Sequence, residues 1–201
     1  MIELLESLLP DVYESVKRRD PDWDSLIVNR RKPWTYRVFK KFGEHRVCLH
    51  AFDECNQEEC FAHPHPWPGA FLLLKGSYVH TVGMSPDLQS DPTFCFREIL
   101  RPYSTYEIVD RRTWHSVQPL ERTYTIMVNG SPWEEPHSKT RTTKGKDLDR
   151  MSPEDLCVHL QEFENLLSDY FKNLQPQWIK DLNNAIEAGP MIELDSARGL
   201  C

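Results

Sequence analysis

The chain has 201 residues, 24 basic and 31 acidic, for a formal net charge of −7. That length is enough for one domain with a real core plus helical additions. The acidic balance excludes the basic face of a nucleic-acid binder, and no run approaches the roughly twenty apolar residues that a membrane-spanning helix needs.

Residues 2–19 carry Leu5, Leu8, Leu9, Val12, Tyr13 and Val16 at helical spacing. Pro10 is expected to split or kink that helix. Residues 1–32 therefore read as a helical arm packed over the core. The N-terminus is acidic and shows neither a basic flank nor a cleavage site, so no secretory signal is read. Six Cys without a CxxC pair are then expected as free thiols in a reducing compartment, and a cytoplasmic protein is expected.

From residue 33 to 130 the texture turns to β. Strand-like runs are Trp34–Phe39, Arg46–Phe52, Ala70–Leu74, Tyr78–Val82, Thr93–Leu100, Tyr106–Val109, Trp114–Val117 and Thr123–Val128. About eight short strands with turn signals between them predict an antiparallel barrel or sandwich. Residues 131–151 are polar and aperiodic and read as a linker or loop. A helix then starts at Ser152, with Pro153 in its first turn and Glu154 and Asp155 against its positive end. Leu156, Leu160, Phe163, Leu166, Leu167, Tyr170 and Phe171 form its apolar stripe. A second helix is predicted after Gln175, from Trp178, Ile179, Leu182, Ala185 and Ile186, closed by Gly189-Pro190. Residues 152–201 are thus a helical pair with a tail.

The chemistry concentrates in Phe61–Tyr78, FAHPHPWPGAFLLLKGSY. His63 and His65 lie two residues apart, so on one strand both would point to the same face. Pro64, Pro66 and Pro68 stiffen the entry, and Gly76 marks a turn or bulge. His115 follows between two strand-like runs. Three neutral imidazoles from two β segments, converging inside a small barrel, would hold one divalent metal ion. Each imidazole alone is more simply a satisfied structural histidine.

The close pair His63 and His65, a Gly eleven residues on at Gly76, and the later His115 resemble the cupin superfamily over roughly residues 45–130. The run HPHPW followed by LLLKGSY is most similar to small bacterial and phage cupins. The resemblance implies a jelly-roll β-barrel with His63, His65 and His115 as the metal ligands. The Glu that usually follows the pair is absent, Gly69 or Ala70 standing in its slot. Around His115 the usual Pro and Gly give way to Asp110 and Arg112, and the Asn to Pro119. Three-His sites without the Glu resemble those of thiol dioxygenases and some diketone-cleaving enzymes, which use Fe(II). The Ser-His-Tyr set of thiol dioxygenases has no counterpart near Thr123–Met127. Three neutral ligands leave the ion its full charge and favour an anionic ligand. Imidazole accepts Zn, Ni, Cu or Fe, with Mn a further candidate, so Fe(II) is favoured only through the resemblance.

Other residues carry weaker readings. His50 is a candidate fourth ligand or a partner behind one, and His80 a candidate for the barrel lining. Arg97 and Arg112, with Arg101 and Arg111 nearby, are candidates to clamp an acidic substrate; the competing reading is a solvated strand edge. Trp67 and Trp114 adjoin the histidines and would wall a ligand pocket, or serve as core. Cys55 and Cys60 with the His pair match no common structural zinc spacing. The expected protein is a mainly β, cupin-type barrel acting as a metal-dependent enzyme on a small, anionic organic molecule, most specifically as an Fe(II) dioxygenase. No nucleic-acid or membrane partner is expected; a homodimer through edge strands accords with the resemblance. The alternatives are a non-catalytic cupin binding a sugar, nucleotide or peptide, and an interaction scaffold docking through its helices.

Overall fold

The computed structural model describes residues 1–140 and 148–174. Within these residues ten strands form two antiparallel sheets. The larger contains, in spatial order, β1 (Asp24–Val28), β2 (Thr35–Phe42), β3 (His45–Phe52), β10 (Thr123–Asn129), β5 (Gly69–Lys75) and β8 (Thr105–Ile108). The smaller contains β4 (His63–Pro64), β9 (Thr113–Pro119), β6 (Tyr78–Met84) and β7 (Thr93–Leu100). They stack face to face as a jelly-roll barrel, the mainly β architecture expected from the sequence. Helices α1 (Ile2–Lys17) and α2 (Pro153–Leu174) cover the outside of the larger sheet. Among the described residues no helix is long and apolar enough to cross a membrane.

Alternation along the central strands explains this layering. Val47, Leu49 and Ala51 of β3, Ala70, Leu72 and Leu74 of β5, and Tyr124, Ile126 and Val128 of β10 point outward. There they meet Leu5, Leu9, Val12 and Val16 of α1 and Leu160, Phe163, Leu167 and Tyr170 of α2 in one cluster. The intervening residues face the barrel interior: Cys48 packs with Phe71, Ile108 and Met127, and Leu73 with Tyr78 and Leu100. β5 is thus buried on both faces, which is why its sequence is a continuous apolar run rather than an alternating one.

Two expectations change in detail. α1 runs unbroken through Pro10. The hydrogen bond that Pro10 removes is outweighed by the buried stripe of four residues on either side of it, since in proteins packing rather than propensity carries most helix stability. β1 falls inside the span read as a helical arm and pairs with β2 from Asp24↔Phe39 to Val28↔Thr35. α2 begins as predicted: the Asp155 amide donates to Ser152 Oγ at 3.0 Å, and Ser152 Oγ donates to the Asp155 carboxylate at 2.9 Å. The second predicted C-terminal helix lies outside the described residues.

The described parts of 131–151 lie against the barrel. The Gly130 and Trp133 amides donate to the carbonyls of Pro68 and Pro66, His137 is buried, and the Ile27 amide donates to Asp149 O at 2.8 Å. Gly76 joins β5 to β6 with φ of +83°. A Cβ there would sit 2.7 Å from the Arg122 carbonyl oxygen and 2.9 Å from Thr123 Cα, so the corner admits only glycine.

Candidate metal centre

β4 has only two residues, because Pro64 and Pro66 have no N–H to continue a ladder. It nevertheless pairs His63 directly with His115 of β9. His65, two residues on, turns its ring to the same cluster. The three ring centroids lie 4.8 to 5.0 Å apart, and one nitrogen from each ring lies within 4.8 Å of the other two. His65 Nε2 and His115 Nε2 are 2.7 Å apart. Two neutral rings can approach so closely only if one nitrogen carries a proton, or if a cation lies between the two lone pairs. A set of nitrogens at about 2.1 Å from one ion, at right angles, would stand roughly 3.0 Å apart. The His65–His115 pair is a few tenths of an ångström short of that spacing, while the His63 nitrogen, within 4.8 Å of the others, must draw in for all three to reach one ion.

The electrostatics hold the rings neutral. Burial pushes His63 down to about 4, the backbone of Phe61 partly opposing it. Burial, and the neighbouring histidines after it, hold His65 and His115 well below the usual imidazole value. Their lone pairs are thus available near neutral pH. Among the described residues no carboxylate joins the cluster.

His80 stands behind this triad. Its Nε2 lies 3.2 Å from His115 Nδ1, and its ring packs on Tyr106 at 4.2 Å. Tyr106 in turn stacks on Phe71 at 4.5 Å and accepts a hydrogen bond from the Tyr78 hydroxyl. Burial lowers His80 to about 4. Glu98, opposite it on β7, is 3.7 Å from Nδ1, too far for a hydrogen bond. His50 is not in the cluster: its Nε2 accepts a hydrogen bond from Arg37 Nε at 2.9 Å.

Among the weaker candidates, Trp67 stands 6.2 Å from His65, ring to ring. Trp114 faces the opposite side of β9 from His115 and meets His137 edge-on at 5.1 Å. A cavity of about 360 Å³ opens there beside His63, walled by Phe61, Pro64 and Trp114 with Arg31, Lys139 and Thr140. Arg97 and Arg112 do not reach it. Arg97 bridges the side-chain oxygens of Gln57 and Gln118, and Arg112 folds back on Asp110 at 2.8 Å. The two thiols Cys55 and Cys60 touch each other at 3.2 Å, apart from the imidazoles. Sequence reasoning missed Arg37, which reads as an ordinary strand residue until β2 is paired with β3.

No protein-family profile matches the sequence, and no curated protein is similar to it. Solved structures with a related arrangement include hydroxypropylphosphonic acid epoxidase from S. wedmorenis, at 10% identity over 53% of this chain and 55% of that chain, TM-score 0.41. A protein from Bacillus halodurans aligns at 15% identity over 65% of this chain and 85% of that chain, TM-score 0.39. The chain spans about half the length of the epoxidase. Likenesses this low say nothing of chemistry.

Proposed function

We propose that this protein is a metal-dependent enzyme of the cupin kind. His63, His65 and His115 hold one divalent transition ion, Fe(II) before Zn, Ni or Mn, and the substrate is a small anionic organic molecule. The observation that carries this reading is the convergence of three neutral imidazole nitrogens, with no carboxylate among the described residues beside them. Such a site leaves coordination positions open for reactants. A bound ion supplies Lewis acidity and, as Fe(II), electrons for dioxygen, which makes a dioxygenase the most specific form of the proposal.

The chain's own residues do the rest. With the proton of His115 on Nδ1, the tautomer an ion on Nε2 requires, His80 Nε2 is placed to accept it and so keeps the Nε2 lone pair of that ring facing His65. Phe71 packs on the rings of His65 and His115, each at 5.8 Å, and excludes water from that side.

Metal analysis by mass spectrometry tests the reading. Protein purified without chelator is expected to carry close to one transition metal per chain, and the His63→Ala variant far less. A wild-type chain that takes up no stoichiometric metal after anaerobic loading with Fe(II), Zn or Ni overturns it.

A further inference from the structure

The interior of the barrel holds a cation that the imidazole cluster does not account for. Arg37 lies on β2 between Tyr36 and Val38. Val38 is fully buried in the layer against the helices, so Arg37 faces the opposite side, into the barrel. The register confirms this placement: Arg37 stands directly opposite His50 on β3, and His50 opposite Thr125 on β10. Leu49 and Ala51, which flank His50, both face the helices.

The guanidinium is anchored at one point. Its Nε donates to His50 Nε2 at 2.9 Å, which fixes the plane of the group. A guanidinium has five N–H donors. Among the described residues neither of its terminal nitrogens makes a hydrogen bond within the protein, and no carboxylate lies within 4.0 Å to form an ion pair. Its positive charge disfavours protonation of His50, His63 and His65, a smaller effect than their burial. Arg37 is half-buried and its terminal nitrogens reach solvent, so water screens a charge that no carboxylate of the described residues neutralises. Neutral imidazoles cannot offset it, and a divalent ion on them would add positive charge to the same chamber. Other arginines show the contrast: Arg112 and Arg122 both have carboxylates against them.

We propose that Arg37, oriented by His50, seats the acidic group of the substrate, and that this group is a carboxylate. The planar fork of the guanidinium matches a carboxylate through two parallel N–H···O bonds, and the terminal nitrogens are the part of Arg37 left without a protein acceptor. As a statement about substrate this rests on the metal-enzyme reading. As a statement about binding it stands on Arg37 alone. His50 then acts as a positioning residue, since it accepts from Nε and touches no ligand.

The test is acetate binding to the metal-free protein at constant ionic strength, followed by ligand-observed NMR, with acetamide as the neutral control. Wild-type protein is expected to bind acetate in preference to acetamide. Arg37→Gln is expected to weaken acetate at least about ten-fold, as loss of a hydrogen bond to a charged group does. Arg37→Lys keeps the charge without the fork; it is expected to weaken acetate several-fold at an unchanged melting temperature, and it serves should the Gln variant not fold. Acetate that binds both wild type and the variants equally, or does not bind wild type at all, overturns the proposal. Metal content measured on the same samples should be equal in wild type and Arg37→Gln. A chain without metal would thus sink the metal reading, while the acetate titration would still decide Arg37.

Discussion

Replacing His80 by leucine removes the ring nitrogen 3.2 Å from His115 Nδ1, the acceptor for that ring in its ion-binding tautomer. His115 is 3% exposed and water does not replace that acceptor. The ring is left with two poor choices. It can keep its proton on Nδ1 and leave a buried donor unpaired, at a cost of about 1–3 kcal/mol. Or it can move the proton to Nε2 and lose the lone pair that faces His65. Either way the ion-binding tautomer becomes less populated. At about 1.4 kcal/mol per factor of ten, affinity should fall roughly 10- to 100-fold, the range seen when a partner behind a metal-bound histidine is removed. His80→Gln restores an acceptor and should recover most of the loss. The assay is competition for Zn(II) against a fluorescent chelator, with the melting temperature followed separately, because leucine also loses the packing on Tyr106. Zinc affinity of His80→Leu within two-fold of wild type would refute the reasoning, as would a nitrogen-15 spectrum of the zinc-loaded protein with the His115 proton on Nε2.

Two further outcomes follow from the buried rings and the corner glycine. His63 and His80 titrate near 4 in the fold, against 6.5 as their ordinary value, and His50, His65 and His115 are shifted the same way. The unfolded chain therefore binds protons first: stability of the metal-free protein should be flat above about pH 6.5, fall as pH drops, and level off once the folded rings protonate, by about 1.4 kcal/mol per unit for each ring. Urea titrations at pH 7.5, 6 and 5 with the same midpoint would contradict this. Gly76→Ala forces a Cβ to 2.7 Å from the Arg122 carbonyl oxygen at φ of +83°, and should cost about 2 kcal/mol or more; an unchanged denaturation midpoint would show that the corner yields.

The residues that announced themselves in the sequence did so through local pattern. Eight of the strands lie in runs of apolar and β-branched residues, and Ser152-Pro153-Glu154 reads as a helix start without any tertiary knowledge. His63 and His65 stand out by their spacing. What stayed hidden depends on long-range pairing. Asp24–Val28 is five residues long and becomes a strand because β2 offers it an edge. β4 is two residues between prolines, and only its pairing with β9 sets His63 against His115. Arg37 sits in RVFKKF, where it reads as one more solvated base. Its direction depends on Val38 meeting the helices, which cannot be read from six residues. Arg97 and Arg112 drew attention because they lie near His115 in sequence, yet short-range partners hold them elsewhere.

β5 serves two masters. On one side its Ala70, Leu72 and Leu74 are the floor on which both helices rest; on the other its Phe71 touches two of the three imidazoles. A strand gripped from both sides behaves as a bulkhead: a push on the helical roof that displaces it by a fraction of an ångström is passed on toward the chamber, since close-packed interiors are hard to compress. Drift in the sequence of α1 or α2 is therefore constrained by events on the far side of the sheet, and a substitution as remote as Leu9 can be felt at the rings of His65 and His115.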